Sequence, residues 1–518
     1  MADSGVALWT GGRVYTGSRI VEAMAVEEGR VVALGSEAAV RRNSGRGSER
    51  HDLQGGSIIP GLVDSHVHVL ESVLQHRGVD LRGVRTRSEF EQRVRAWVDA
   101  HPRSIVFGGG WDQETLEGRR WPDRSWIDEV VPGRPAVLDR VCTHAALLNS
   151  VALEEVGIDR KTHDPPGGTI GRGPDGAPDG LLLDRALDAA RPLRDAAFLE
   201  SERETRTTLA GWSRFGITSV GAMNMGPREV AHLRSLHARD PLPIRIHGYL
   251  RLESLEPGSH PEDPKAETWI AAVGVKVILD GALGIRTAWL SSSYSDAPGE
   301  LGRPTSSIPA TAERLARVVE GGWTPALHAI GDRAVAEALT LLERLGNPKG
   351  ARIEHLSMVP PVLLDRIAHS GVVAVVQPQF RISDSWVPER LGAERAQWTY
   401  RFRSLLDAGV PLAGSSDGPV EPVDPWAGCA AAVREGGGSV PGEAVTPEEA
   451  LAMYTTGGGR ALSDPNRGRL RVGGPADFVR LRAATPFPAF GARRSPVAET
   501  WVGGRRAFPR ATASGRRP

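Results

Sequence analysis

The sequence predicts an α/β protein: a parallel (β/α)8 barrel, a small β domain assembled from both ends of the chain, and an α/β insertion after the first barrel strand. Three observations carry this. Short apolar runs alternate with helical segments through the middle of the chain, the pattern of parallel strands joined by crossover helices. Both ends read as strands and hairpins, and neither is long enough to bury a core alone. Residues 72–205 separate the first two barrel runs and contain strand-like pieces of their own.

In chain order, residues 7–15 and 22–35 read as strands, with Glu27-Glu28-Gly29-Arg30 as a hairpin turn. Asp52-Leu53 leads to Ser57-Ile58-Ile59-Pro60, and this opening reads as all β with no helix signal. The first barrel strand follows from Gly61 and ends in His66-Val67-His68. Residues i and i+2 of a strand share a side, so the two imidazoles project together. The insertion carries strands at 104–108 and 136–141; packed over the barrel mouth, it would shape a substrate pocket, because active sites in this fold sit at the C-terminal strand ends. Further barrel strands are read at 216–220, 244–250, 273–279, 325–330, 352–356, 372–377 and 411–417. Ala334 to Leu345 reads as a helix with Val335, Ala338, Leu339, Leu342 and Leu345 on one face. Thr446 and Pro447 read as the N-cap and first residue of another. Strands at 476–481, 498–502 and 505–508, the last two around Gly503-Gly504, close the chain. The domain expectation is residues 1–60 and 466–518 for the terminal β domain and 61–465 for the barrel; 510–518 are polar and expected to be disordered.

Composition narrows the function classes. Lys+Arg and Asp+Glu are both 63, so nothing calls for nucleic acid or an anionic membrane as partner. Cys142 and Cys429 are the two cysteines and make no disulfide framework, which points to a reducing cytoplasm. Met1-Ala2-Asp3-Ser4-Gly5 has no apolar signal region, and no run reaches the length of a membrane span.

Five candidate strands carry a metal-ligand type near their ends: His66 and His68 on the first, Lys276 on the fourth, His328 on the fifth, His355 on the sixth and Asp417 on the eighth. Four imidazoles and a carboxylate suit two borderline divalent ions such as Zn²⁺. An ammonium has no lone pair, but a lysine desolvated in an apolar strand can lose its charge. The neutral amine can take up CO₂ as a carbamate, N6-carboxylysine, and bridge two metal ions.

This order of ligands resembles the amidohydrolase superfamily in its binuclear form. Lys276-Val277-Ile278-Leu279-Asp280-Gly281-Ala282-Leu283-Gly284, His328-Ala329-Ile330-Gly331-Asp332-Arg333-Ala334 and Ser416-Asp417-Gly418-Pro419-Val420-Glu421-Pro422 are similar to its amidohydrolase 3 branch, which includes N-substituted formamide deformylases. Gly109-Gly110-Trp111-Asp112 and His144 to Ser150 are similar to it as well. Ala282 and Ile285 depart from that pattern, which usually has Ser and a small polar residue there, and neither is a ligand. The resemblance implies a distorted (β/α)8 TIM barrel with a β-sandwich made from both termini. It also implies a metal-dependent hydrolase that cleaves a non-peptide carbon–nitrogen bond with metal-activated hydroxide.

In that reading Asp417 is both ligand and proton carrier. Trp111, Asp112, Arg140, His144, Arg286, Trp289, Gln377 and Arg381 are candidate substrate contacts, Asp280 and Glu421 would orient histidines, and Asp332 and Arg333 would brace the helix after His328. Arg41-Arg42 reads as solvated surface charge. The substrate is a small molecule, and a homodimer through the terminal β domain is left open. The same site could cleave an ester, a lactone or a cyclic amidine, and a non-catalytic metal-bearing binding protein is the alternative from another class.

Overall fold

A computed structural model of the chain describes residues 5–44, 48–256, 258–262, 268–435, 440–491 and 495–509. The C-terminal stretch read as disordered lies outside the described residues.

Eight parallel strands form one sheet in sequential order: β1 (Leu62–Val67), β2 (Ile217–Met225), β3 (Arg245–Arg251), β4 (Ile270–Ile278), β5 (Thr324–Ala329), β6 (Arg352–His355), β7 (Val373–Val376) and β8 (Leu412–Gly414). They are buried almost throughout, which is why they read as apolar runs rather than alternating ones. The barrel is distorted where β8 meets β1. β8 stops at Gly414, and the chain beyond it completes the ring: the Asp417 N–H donates to His66 O at 3.0 Å, and the His68 N–H to Gly418 O at 2.7 Å. This closure delivers Asp417 beside the histidine pair.

The opposite end is plugged by a π-helical turn, Met453–Gly457, running into Gly458–Ala461. Tyr249 Oη and Arg352 Nη1 both donate to Ala461 O, at 2.8 and 3.0 Å. Gly458 sits against β1, where a Cβ would lie 2.5 Å from Val63 Cβ, so the plug docks there only with glycine.

The terminal segments form two sheets. Ala7–Thr10, Ala23–Glu27, Arg30–Gly35 and Glu49–Asp52 make the first. In the second, Arg13–Tyr15, Ile20–Val21 and Ser57–Pro60 join Phe478–Leu481, Val497–Val502 and Arg505–Phe508, with Ile59 opposite Val479 across the antiparallel seam between the two ends. Trp9, Phe478 and Trp501 meet between them, with ring centroids 5.2–5.7 Å apart.

The opening is not all β: Glu37–Asn43 is a helix, whose N-cap Ser36 Oγ accepts from the Ala39 N–H at 3.4 Å. Its signals were a capping serine, Glu37 in the first turn and Arg41-Arg42 in the last, on a helix too short to show an apolar period. Arg41 and Arg42 are exposed surface charge, as read, and Arg41 Nη2 pairs with Glu37 at 2.6 Å one helical turn away.

The insertion builds a six-stranded mixed sheet from Val79–Asp80, Val106–Trp111, Ala136–Arg140, Ala145–Leu148, Pro178–Asp184 and Gly168–Arg172. Phe90, Trp111, Trp126 and Leu138 belong to its core.

Asp477 ties sandwich to barrel. Its carboxylate accepts from Arg245 Nε at 2.9 Å, from Arg467 Nη1 at 2.6 Å and from the Gly503 N–H at 2.6 Å, all in buried surroundings. Asp477→Ala strips Arg245 of its counter-charge inside the protein, so a loss of about 3–5 kcal/mol in a denaturant titration is expected. A loss below about 1 kcal/mol would show that the joint is held by its apolar contacts.

Candidate metal centre

The side chains read from the strand ends converge at the barrel mouth. The Nε2 atoms of His66 and His68 are 3.4 Å apart, and Asp417 Oδ1 lies 3.1 Å from the first and 3.2 Å from the second. His66, His355 and Asp417 each bring a ligand-type atom within 4.8 Å of the others. The His355 ring centroid is 4.9 Å from that of His66 and 4.4 Å from that of His328. Lys276, His68, His328, His355 and Asp417 line one cavity of about 100 Å³.

Three hydrogen bonds fix which ring nitrogens face that space. His66 Nδ1 is 2.6 Å from Glu354 Oε2, and Arg352 grips the same carboxylate at 2.5 and 2.9 Å. Burial pushes the Glu354 carboxyl up, but Arg352 and His66 outweigh it and hold it well below the usual carboxylate range. Glu354 is therefore an acceptor, His66 Nδ1 carries the proton and His66 Nε2 presents a lone pair inward. Gln377 Nε2 donates to Ser415 Oγ at 2.9 Å, so its Oε1 accepts from His355 Nδ1 at 2.9 Å and leaves His355 Nε2 as the inward lone pair. His328 Nε2 donates to Gly281 O at 3.2 Å, which turns its Nδ1 lone pair inward. Burial lowers all three histidine pKa values, that of His355 to about 3, so all are neutral near pH 7.

These lone pairs crowd an ionised carboxylate. Burial alone raises the Asp417 carboxyl, and only positive charge at the facing imidazoles, or a cation held among them, keeps it ionised well below the ordinary carboxylate range. Its Oδ1 is buried without an aligned hydrogen bond. A carboxylate oxygen and an imidazole lone pair 3.1 Å apart repel each other unless a cation lies between them. Lys276 Nζ is also buried without a hydrogen-bond partner, and burial lowers its pKa to about 8. The donor set fits divalent metal ions.

Backbone strain gathers at the same place. His355, Leu356 and Asp417 have φ of +70°, +43° and +58°, which turn the chain at the ends of β6 and β8 so that His355 and Asp417 face inward. Asp64 pins the Asp417 loop from β1 by accepting the Ser416 N–H at 3.1 Å.

Glu354→Gln would leave Arg352 without its charge partner and free the His66 tautomer. The expectation is a loss of about 3–5 kcal/mol of stability and metal affinity about 10–100-fold weaker, read by thermal melts and by competition with a chelating dye. Unchanged metal affinity would mean that Glu354 only balances Arg352.

A family model for the amidohydrolase family matches residues 49–508 of this chain. The chain belongs to the amidohydrolase family. It is 32% identical to the protein LONG AFTER FAR-RED 3 of Arabidopsis thaliana, over 97% of this chain and 91% of that protein. It is 26% identical to an N-substituted formamide deformylase of Arthrobacter pascens, over 84% of each. The crystal structure of a metal-dependent hydrolase from Pyrococcus furiosus superposes with a TM-score of 0.76 at 32% identity, covering 92% of this chain and 99% of that one.

Of the substrate contacts read from the sequence, the structure places His144 in the cavity wall. Its Nδ1 is 3.0 Å from Asp184 and its ring centroid 5.1 Å from that of His328. The others are not among the residues that line that cavity. Trp111 is in the insertion core, its Nε1 donating to Leu138 O at 2.8 Å. Arg140 is buried against Asp112 and Gln113, and Arg286 is bound by Asp296. Gln377 steers His355, as described above. Trp289 lies under Arg333 and its N–H donates to Asp280, while Arg381 lies over Phe402.

Asp280 sits 3.4 Å from His328 Nε2 and accepts the Ile330 and Gly331 N–H groups, which sets the turn after β5. Asp332 is the first residue of the helix after β5, an acidic group in its first turn, and also accepts the Ser291 N–H at 3.0 Å, while Glu421 lines a groove with Trp212 and Phe215.

Sequence reasoning missed Glu354, Arg352, Asp184 and the arginines of the cavity wall. Arg352 and Glu354, two apart on β6 and next to His355, were the available signal.

Proposed function

We propose that this amidohydrolase cleaves a non-peptide carbon–nitrogen bond of an amide-type small molecule. His66, His68, His328, His355, Asp417 and Lys276, the last as N6-carboxylysine, would hold two divalent ions, with Zn²⁺ the best match to the donors. The observation that carries the reading is the His66 Nε2 lone pair set against the ionised Asp417 carboxylate, a contact that only a cation makes favourable. Such ions lower the pKa of coordinated water towards neutrality and polarise a carbonyl.

The chain's own residues do the rest. Glu354, Gln377 and the Gly281 carbonyl hold the histidines in single tautomers. Asp417, ionised and next to the ligand cluster, takes the proton released by the attacking water and returns it to the departing nitrogen, giving a carboxylate and an amine. Insertion residues, among them Thr143, His144, Asp184 and Arg191, line the cavity beside the ligand cluster. The deformylase relative supports a carbon–nitrogen bond as the target.

The test is a panel of N-formyl and N-acyl amides with esters, lactones and cyclic amidines as comparison sets, assayed on metal-depleted and Zn²⁺-reloaded protein with the metal counted. Turnover of amides that returns with two equivalents of metal is expected. Preference for another bond would move the reading to that class, and no turnover on any member would favour a metal-bearing binding protein. The balanced charge supports a small-molecule partner rather than nucleic acid, and the two free cysteines support the cytoplasm. No helix among the described residues is long and apolar enough to cross a membrane. A homodimer is the assembly to test alongside, by light scattering.

A further inference from the structure

The cavity that holds the ligand cluster has a cationic wall. Arg185, Arg191 and Arg194 line it from the insertion and Arg251 from β3. Three of these guanidiniums are matched within the protein. Arg185 pairs with Asp188 at 3.1 Å and with Glu253. Arg194 holds Asp139 in two prongs at 2.7 and 2.5 Å. Arg251 donates to Glu229 at 3.1 Å and to Asn224 O at 2.8 Å.

Arg191 is different. It is the first residue of the insertion helix Arg191–Leu199, and its Nη1 is buried with no hydrogen-bond partner among the described residues. Glu71 and Asp195 are near enough to offset part of its charge, but Glu71 faces His68 at 3.9 Å and Asp195 Oδ1 is itself buried and unpartnered. Arginine stays ionised in proteins, and a buried ionised group left unbonded costs several kcal/mol. Arg191 as a whole is only half-buried, and it lines the same cavity as His68, Lys276 and Asp417. A guanidinium so placed is matched in charge and fork geometry by a carboxylate entering with the substrate.

We propose that Arg191, backed by Arg251, receives a carboxylate of the substrate, so that the scissile bond belongs to an acidic molecule such as an N-acyl or N-formyl amino acid. This rests on the hydrolase reading above and names its substrate class. The neutral formamide or amide lacking that anion would leave Arg191 unbonded in the complex. Arg191 is then a specificity residue that acts on binding, and its contribution falls mainly on KM.

The experiment compares matched pairs, N-formyl and N-acetyl amino acids against their carboxamides, on the Zn²⁺-loaded wild-type chain, Arg191→Gln and Arg191→Lys. The acid is expected to exceed its carboxamide in kcat/KM by about 10- to 100-fold on the wild type, the range of one charged hydrogen-bonded contact. Arg191→Gln should collapse that ratio through KM, and Arg191→Lys, which keeps the charge but loses the fork, should leave an intermediate ratio. Thermal shift with the same ligands reads binding without turnover. Equal turnover of acid and carboxamide by the wild type, or a ratio unchanged in Arg191→Gln, overturns the proposal and leaves the hydrolase reading standing. A thermal shift that needs both the carboxylate and Arg191, without turnover of any pair, supports the anion site while the hydrolase reading fails. Neither turnover nor shift overturns both.

Discussion

Asp417→Asn is expected to lower kcat by about 10³-fold, within the range for removing a general acid–base group, while leaving the fold intact. The substitution keeps the size of the side chain and one carbonyl oxygen but removes the charge and the ability to carry a proton. Asp417 sits at φ +58°, a conformation that asparagine accepts about as readily as aspartate, so the backbone does not confuse the result. The bonds that fix the loop, from the Asp417 N–H to His66 O and from the Ser416 N–H to Asp64, involve no atom that is changed. Kinetics on the best amide of the panel, metal content by mass spectrometry and a thermal melt decide the matter together. A large loss of kcat with two metal equivalents retained is the signature of a proton carrier. Wild-type turnover with both metals bound would remove Asp417 from that role.

The barrel was legible because its strands are buried on both faces, and apolar runs such as Val372 to Gln377 survive any reading of periodicity. The ligand set was legible because ligand types fell at strand ends in a recognisable order. What stayed hidden depends on direction rather than position. Gln377 falls at a strand end facing the mouth, yet its amide is fixed by Ser415 and spent on His355. Trp111 and Asp112 sit in a motif-like stretch, but the indole turns into the insertion core. Asp417 was read as the end of a strand and is delivered by a left-handed turn beyond it. Arg191 is one of 63 basic residues, and only the placement of its neighbours' carboxylates shows that it alone of the cavity's arginines lacks a bonded partner among the described residues.

Lys276→Met should move activity and stability in opposite directions. Below about pH 8 the folded, metal-free protein must hold an ammonium buried without a hydrogen bond; burial lowers its pKa from 10.5 to about 8, against the opposing pull of Glu354 and Asp417. The unfolded chain then binds more protons than the folded one between pH 8 and 10.5, so stability of the metal-free protein rises with pH across that window. The rise amounts to about 3 kcal/mol, since each tenfold change in proton affinity is worth roughly 1.4 kcal/mol. Methionine fills a similar length with no charge to desolvate, so metal-free Lys276→Met should be more stable than the wild type at pH 7 and lack that rise. Activity should fall by more than the roughly 10–100-fold typical of losing a residue that only steers a ligand. The amine nitrogen that attacks CO₂, losing a proton to give the carbamate, is gone. Denaturant titrations of both metal-free proteins at pH 7 and pH 10, with kcat after Zn²⁺ reloading, separate the two effects. Retained turnover would show that Lys276 takes no part in the chemistry, and a metal-free Lys276→Met less stable than the wild type would show that the buried ammonium has a partner after all. The expected pair of results, a more stable protein that no longer works, would mean that the chain tolerates an unfavourable amine at that position because the reaction uses it.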